Sequence, residues 1–258
     1  MKPDIAQRKH HLFVGLTVVF IANALLAELI GVKIFSFEQA MGWQPAQIPL
    51  IGGFTLSFNL SAGVVLWPIV FILSDVVNEY FGREGVKRIT WLSVGAITYG
   101  FLMIYLVTQL PPAGFWVENN QTDIAGNAFN INTAFSTIYT QGLNIIFASL
   151  TTFLVSQFLD ATIFYHFKRI TGSKFIWLRA TGSTLISQLV DSFMILFIAF
   201  YFLGNWSWQQ VVSVGIIQYT YKVCAAVLLT PLIYLAHYII DRYLGENEAA
   251  RIVETIDR

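Results

Sequence analysis

Residues 60–81 read LSAGVVLWPIVFILSDVVNEYF. This run is long enough to cross a hydrocarbon core, which takes about 20 mostly apolar residues in a helix. It also holds Asp75 and Glu79 among valines and isoleucines, where a lipid-facing position has no place for them. Five further stretches qualify by the same measure: Leu12 to Val32, Ile89 to Leu110, Leu143 to Phe167, Ala180 to Leu203 and Val211 to Ile240. Of 258 residues 56% are hydrophobic and 12% charged, against about a quarter charged in soluble domains. The expected fold is therefore an all-α membrane protein with six transmembrane helices. The first stretch contains Asn23 and Glu28, is too long for a signal sequence core and lacks a small-residue cleavage site, so it reads as a mature helix.

Lys and Arg are retained on the cytoplasmic side during insertion. Lys2, Arg8 and Lys9 precede the first span; Arg83, Lys87 and Arg88 join the second and third; Lys168, Arg169, Lys174 and Arg179 join the fourth and fifth; Arg242, Arg251 and Arg258 end the chain. The opposite loops, 33–59, 111–142 and 204–210, hold Lys33 alone. Both termini are thus expected in the cytoplasm. The outer loops carry turn and interface residues, Gly52-Gly53, Pro111-Pro112, Trp43 and Trp116. Residues 1–244 read as one six-helix transmembrane domain, and 245–258 as a short polar cytoplasmic tail.

Charge and reactive side chains exclude several classes of function. Fifteen basic residues balance fifteen acidic ones, so no nucleic-acid surface is expected. Cys224 is the one cysteine, in an apolar run, and reads as a small buried hydrophobe. His10, His11, His166 and His237 fall at cytoplasmic ends of spans and match no zinc spacing, which makes them interfacial residues. No metal site and no cofactor is expected.

Ionisable groups inside spans cost about 2.5–3.5 kcal/mol each on insertion scales, so their clustering points to a site. Asp75 and Glu79 lie four apart on one face, which Trp67 and Phe71 continue. The fourth span carries Gln157 and Asp160, the fifth Gln188 and Asp191, the sixth Gln218 and Lys222, and the first contributes Asn23. At about 1.5 Å per residue, Asp75, Asp160, Asp191 and Lys222 can share one depth, whereas Glu79 lies nearer the interface, within reach of Arg83 or water. Ser156-Gln157-x-x-Asp160 and Ser187-Gln188-x-x-Asp191 repeat one pattern on neighbouring antiparallel helices, as inverted-repeat transporters do. Three aspartates against one lysine leave an acid over for a proton or a donor-bearing solute. Two alternatives from other classes use the same residues. An intramembrane aspartyl protease would pair Asp160 with Asp191, but no glycine stands beside either; an ion channel would need a filter loop, which is missing.

From Ala62 to Gly82 the second span resembles the signature of the YhhQ-type queuosine precursor transporters, also called the vitamin uptake transporter family. The matching features are a small-residue start, the aromatic-Pro pair Trp67-Pro68, and Asp75-x-x-x-Glu79-x-Phe81-Gly82. Asn23, Lys33-Ile34, Ser156-Gln157-x-x-Asp160 and Arg179-Ala180-x-Gly182-Ser183-Thr184-x-x-Ser187-Gln188-x-x-Asp191 extend the resemblance over most of the chain. It implies a six-helix protein of the bacterial inner membrane that imports 7-cyano- or 7-aminomethyl-7-deazaguanine; a carrier working alone, by facilitated diffusion or with protons as coupling ion, is the first reading of how it does so. Trp67 stands where the family commonly has Phe, and Phe71 where it has Tyr. The chemistry fits such a solute: a carboxylate accepts from the ring N–H and amine side by side, and a Gln amide or Lys donates to the carbonyl. No Walker A motif occurs, so this chain does not hydrolyse ATP. The alternative within transport is a substrate-binding subunit served by a separate ATPase module.

Overall fold

The computed structural model describes residues 5–49, 55–171 and 175–256. Lys2, Gly52-Gly53, Lys174 and Arg258 lie outside the described residues. In chain order the elements are α1 (Ile5–Ile30), β1 (Ile34–Ser36), α2 (Phe37–Ala40), β2 (Ile48–Pro49), β3 (Thr55–Leu56), β4 (Asn59–Ser61), α3 (Trp67–Thr108), α4 (Gly114–Glu118), α5 (Ile131–Thr171), α6 (Ile176–Leu196), α7 (Trp208–Leu244) and α8 (Glu246–Ile256). A π-helical stretch, Phe197–Phe202, prolongs α6. Five helical stretches among the described residues are long and apolar enough to cross a membrane: α1, α3, α5, Trp177–Phe202 and α7. The protein is an all-α, multi-pass membrane protein.

Helix α3 is two rods. Gly82 takes φ 65°, ψ −169°, a backbone state essentially confined to glycine. A Cβ placed on Gly85 would lie 3.2 Å from the Val77 side chain, although eight residues of straight helix span about 12 Å. The Lys9 ammonium stands 5.5 Å from the Phe81 ring and the Arg88 guanidinium 5.9 Å from that of Phe13. At the far end of α1 the Ser61 hydroxyl donates to the Gly31 carbonyl (2.7 Å), and the Leu25 side chain would meet a Cβ on Gly100 at 3.2 Å. Residues 67–81 therefore run against α1 and residues 83–108 run along it. Between the arms Val70, Val77, Val86 and Ile89 pack with Phe20 of α1 and Phe153 of α5.

The arrangement is apolar outside and polar inside, as lipid demands. Val18, Leu102, Phe147, Leu189 and Leu228 are exposed, whereas Asp75, Asn78, Gln157, Asp160, Arg179 and Gln188 are buried. Basic residues gather at one end: Arg8 donates to the Tyr243 carbonyl (3.3 Å), Arg83 to Thr162 (3.0 Å), and Lys168 and Arg179 both reach Glu79. The opposite end carries the strands, with β1 antiparallel to β4 and β2 to β3. There Glu38 accepts from the amides of Phe58 (2.8 Å) and Ala46 (3.2 Å) and from Ser36 Oγ (3.0 Å). The Phe58 amide foremost, with Ala46 and Ser36, holds its carboxyl below the usual range.

Several expectations are corrected. The second span was expected to be helical from Leu60, but α3 begins at Trp67. Pro68 is tolerated in the first helical turn and not beyond it, and before it Leu60 lies in β4 and Ala62–Val65 form a 3₁₀ turn capped by Ser61. Residues 131–142, expected in a loop, open α5, because Asn130 Oδ1 accepts the Thr133 amide (2.9 Å) as an N-cap. Cys224 is exposed: it lies about 200° around the helix from buried Ala226 and so faces outward. The tail, read as polar and amphipathic, forms α8, which sets Ala249, Ile252 and Val253 against Val76 and Tyr80.

Gly82→Ala is expected to cost about 1–3 kcal/mol and to lower the thermal unfolding midpoint followed by tryptophan fluorescence. Gly95→Ala, at a position with open space around it, is expected to leave that midpoint unchanged or raise it.

Candidate functional site

The cleft between α3, α5 and α6 is lined by Phe71, Ser74, Ser156, Gln157, Asp160, Thr184, Ser187 and Gln188. Helical spacing puts these groups there. Phe71, Ser74 and Asn78 lie on one stripe of α3, and the two Ser-Gln-x-x-Asp segments face each other because α5 and α6 are antiparallel neighbours. Their hydrogen bonds are exchanged between the segments. Ser187 Oγ donates to Asp160 Oδ1 (3.1 Å), and Ser156 Oγ approaches Asp191 Oδ1 at 2.8 Å. Each serine thus serves the aspartate of the other segment, as a local twofold relation requires.

Asp160 Oδ2 also takes a long hydrogen bond from Asn78 Nδ2 (3.4 Å), and Ser74 Oγ donates to Gln157 Oε1 (3.1 Å). Gln188 lines the cleft and makes no side-chain hydrogen bond among the described residues. Its amide is therefore available to a solute. The free interior of the cleft is about 10 Å³, room for one water.

Around the cleft the ionisable groups separate into two arrangements. Lys222 of α7 is ion-paired with Asp191 of α6, so Asp191 already has a cationic partner, whereas Asp160 has none among the described residues. Asp75 is 2% exposed, and its Oδ1 has no hydrogen-bond partner among the described residues. Glu79 does not meet Arg83: it is ion-paired with Arg179 and lies 3.7 Å from Lys168 Nζ, while Arg83 stacks on Tyr165 at 5.4 Å. Trp67 stacks on Phe71, with centroids 6.0 Å apart and planes at 27°. Asn23 donates to the Val19 carbonyl of its own helix (2.8 Å) and is not brought to the cleft. Gln218 is half-buried on α7, outside the cleft lining.

His237 is corrected from an interfacial residue to a buried one, because α7 turns it toward α3: its Nδ1 lies 3.0 Å from the Tyr80 hydroxyl, which donates to Asp241 (2.6 Å). Ser74, Asn78 and Thr184 were missed as site residues, as were Ser156 and Ser187, noted only as part of the repeated Ser-Gln-x-x-Asp pattern. The signal that finds the first two is the stripe they form with Phe71; Thr184 stands one turn before Gln188. Among the described residues no group of three or more His, Cys, Asp or Glu side chains is arranged to hold a metal ion.

Residues 61–236, which contain both Ser-Gln-x-x-Asp segments and the whole cleft lining, match the family described as "Putative vitamin uptake transporter". The chain belongs to that family. It is 30% identical over 182 residues to a protein of Bacillus subtilis (strain 168) named "Probable queuosine precursor transporter", covering 69% of this chain and 73% of the relative. It is 24% identical over 200 residues to the "Queuosine precursor transporter" of Escherichia coli (strain K12), covering 75% and 80% respectively. No solved structure matches significantly. Transport, not catalysis, is the family's class.

The Asp191–Lys222 pair gives a specific expectation. Lys222→Met alone strands a largely buried carboxylate and is expected to destabilise by about 3–5 kcal/mol, whereas Asp191→Asn combined with Lys222→Met recovers most of that loss. Thermal unfolding of the two variants beside the parent measures the difference.

Proposed function

We propose that the protein imports 7-deazaguanine precursors of queuosine, 7-cyano- or 7-aminomethyl-7-deazaguanine, across the bacterial inner membrane. In this reading the chain crosses six times, the break at Gly82 dividing α3 into two passes, and the basic end with both termini is cytoplasmic. The observation that carries the proposal is the cleft itself: a carboxylate with no cationic partner among the described residues, Asp160, beside the amides of Gln157 and Gln188 and Phe71. The names of the relatives supply the solute class.

The base's ring N–H and amine donate to Asp160, and its carbonyl accepts from the free Gln188 amide. The ring stacks on Phe71, which Trp67 backs, at about 1–3 kcal/mol by analogy with base stacking in nucleic-acid binding. Asp191 and Lys222 neutralise each other and hold α6 against α7. Because the cleft is closed around room for one water, binding and release require α3, α5 and α6 to part, a small shear of packed helices. Asp75 is the group assigned to carry a coupled proton. Two carboxylates sharing a proton, the requirement of an aspartyl protease, are not favoured where one of them is ion-paired with Lys222.

Uptake of labelled 7-cyano-7-deazaguanine into proteoliposomes containing the purified protein tests the reading, with and without a pH gradient. The expected result is uptake without ATP or a second protein, reduced more than tenfold by Asp160→Asn. Binding without uptake would instead assign the chain to a subunit that needs an energising partner, and absence of both would overturn the solute class.

A further inference from the structure

A second, larger space lies at the basic end. It measures about 540 Å³ and is bounded by Glu79, Tyr80, Arg179, His237, Asp241 and α8. That is the size of a small-molecule site, while the intramembrane cleft has room for one water. The two spaces are stacked along the same helices. From Phe71 in the cleft to Glu79 at the chamber is eight residues of α3, about 12 Å, and from Thr184 to Arg179 is five residues of α6, about 7.5 Å. Between them stands the ion pair of Glu79 with Arg179, joined by Lys168, which ties α3, α5 and α6 together with all three side chains buried.

The chamber wall has a definite chemistry. Tyr80 gives its one proton to Asp241, so the contact with His237 Nδ1 requires the imidazole to donate to the phenolic oxygen. Nε2 is then left with a lone pair. The wall thus offers acceptors on His237, Asp241 and Glu246, while the Arg179 guanidinium is engaged by Glu79. Such an acceptor edge complements a flat base that presents N–H and amine donors side by side. Helix α8 closes the far side, its Ala249 and Val253 packed inward and Ala250 exposed at the rim.

We propose that this chamber is a second binding station for the transported base on the cytoplasmic side, with the Glu79–Arg179–Lys168 ion pair forming the partition between it and the intramembrane cleft. The inference rests on the reading of the protein as an importer of such bases. Buried ion pairs are well suited to this duty: they contribute little net stability, yet they hold one discrete arrangement until helices move.

The test uses the full chain with Cys224→Ser and Ala250→Cys, reconstituted so that the basic end is accessible to a thiol reagent. Saturating 7-cyano-7-deazaguanine is expected to slow labelling at least fivefold, and to do so also when Asp160→Asn is added. Ala250→Trp, which fills the chamber from its rim, is expected to cut uptake at least tenfold while the purified variant still binds the base. Labelling indifferent to the base, or normal uptake by Ala250→Trp, in preparations whose parent transports the base, overturns the station and leaves the importer reading standing. Absence of uptake by the parent removes that reading and the station with it.

Discussion

A carboxylate inside a bundle that floats in lipid must find donors from its own helices, since no water or counter-ion is there to supply them. The interior of this protein is organised by that demand. Ser156 and Ser187 cross over to serve Asp191 and Asp160, which locks α5 and α6 into one rotational register. Lys222 then completes Asp191, and Arg179 with Lys168 completes Glu79. Once those acids are neutralised, Asp160 remains as a carboxylate held by neutral donors. In the proposed function, a solute that brings N–H groups to Asp160 replaces weak protein hydrogen bonds with better ones, and that difference is the proposed source of selectivity.

Backbone constraints place those side chains. The reversal at Gly82 lets the two arms of α3 pack against α1 and brings Ser74 and Asn78 to the α5–α6 pair. Pro68 sets the start of the first arm, and Ser61 ties that start to the end of α1. At the other end α8 covers Val76 and Tyr80, so a helix beyond the last long span takes part in the interior surface. The polar interior is thus divided in two by the Glu79 ion pair, with a narrow space above it and a wide one below.

The long helices were legible because apolar runs of about 20 residues leave little alternative, and the interior polar groups because charge within such runs is costly. Which donor meets which acid was not legible. The partners of Asp160 are 82 and 27 positions away in sequence, and Arg179 is 100 positions from Glu79; these pairings depend on how each helix is rotated, and periodicity in one helix does not fix its neighbour's rotation. Glu79, placed by sequence proximity within reach of Arg83 or water, is taken by Arg179 through tertiary packing. Residues 131–142 carry no apolar run and became helix through the Asn130 cap and continuity with α5. Cys224 and His237 show the same limit from two sides: both lie in an apolar helix, and rotation sends one outward and the other into contact with Tyr80. An interior asparagine is not enough to mark a site either, since Asn23 is satisfied by its own helix at Val19.

In the proposed function the base is read by Asp160 and the two glutamines in the α3–α5–α6 cleft. The most direct test of that reading is a cryo-electron microscopy structure of the protein in a lipid nanodisc with 7-cyano-7-deazaguanine bound. The expected structure has the ring against Phe71, with its N–H edge within hydrogen-bond distance of Asp160 and its carbonyl at the Gln188 amide. A bound base that touches none of Asp160, Gln157 and Gln188 contradicts it.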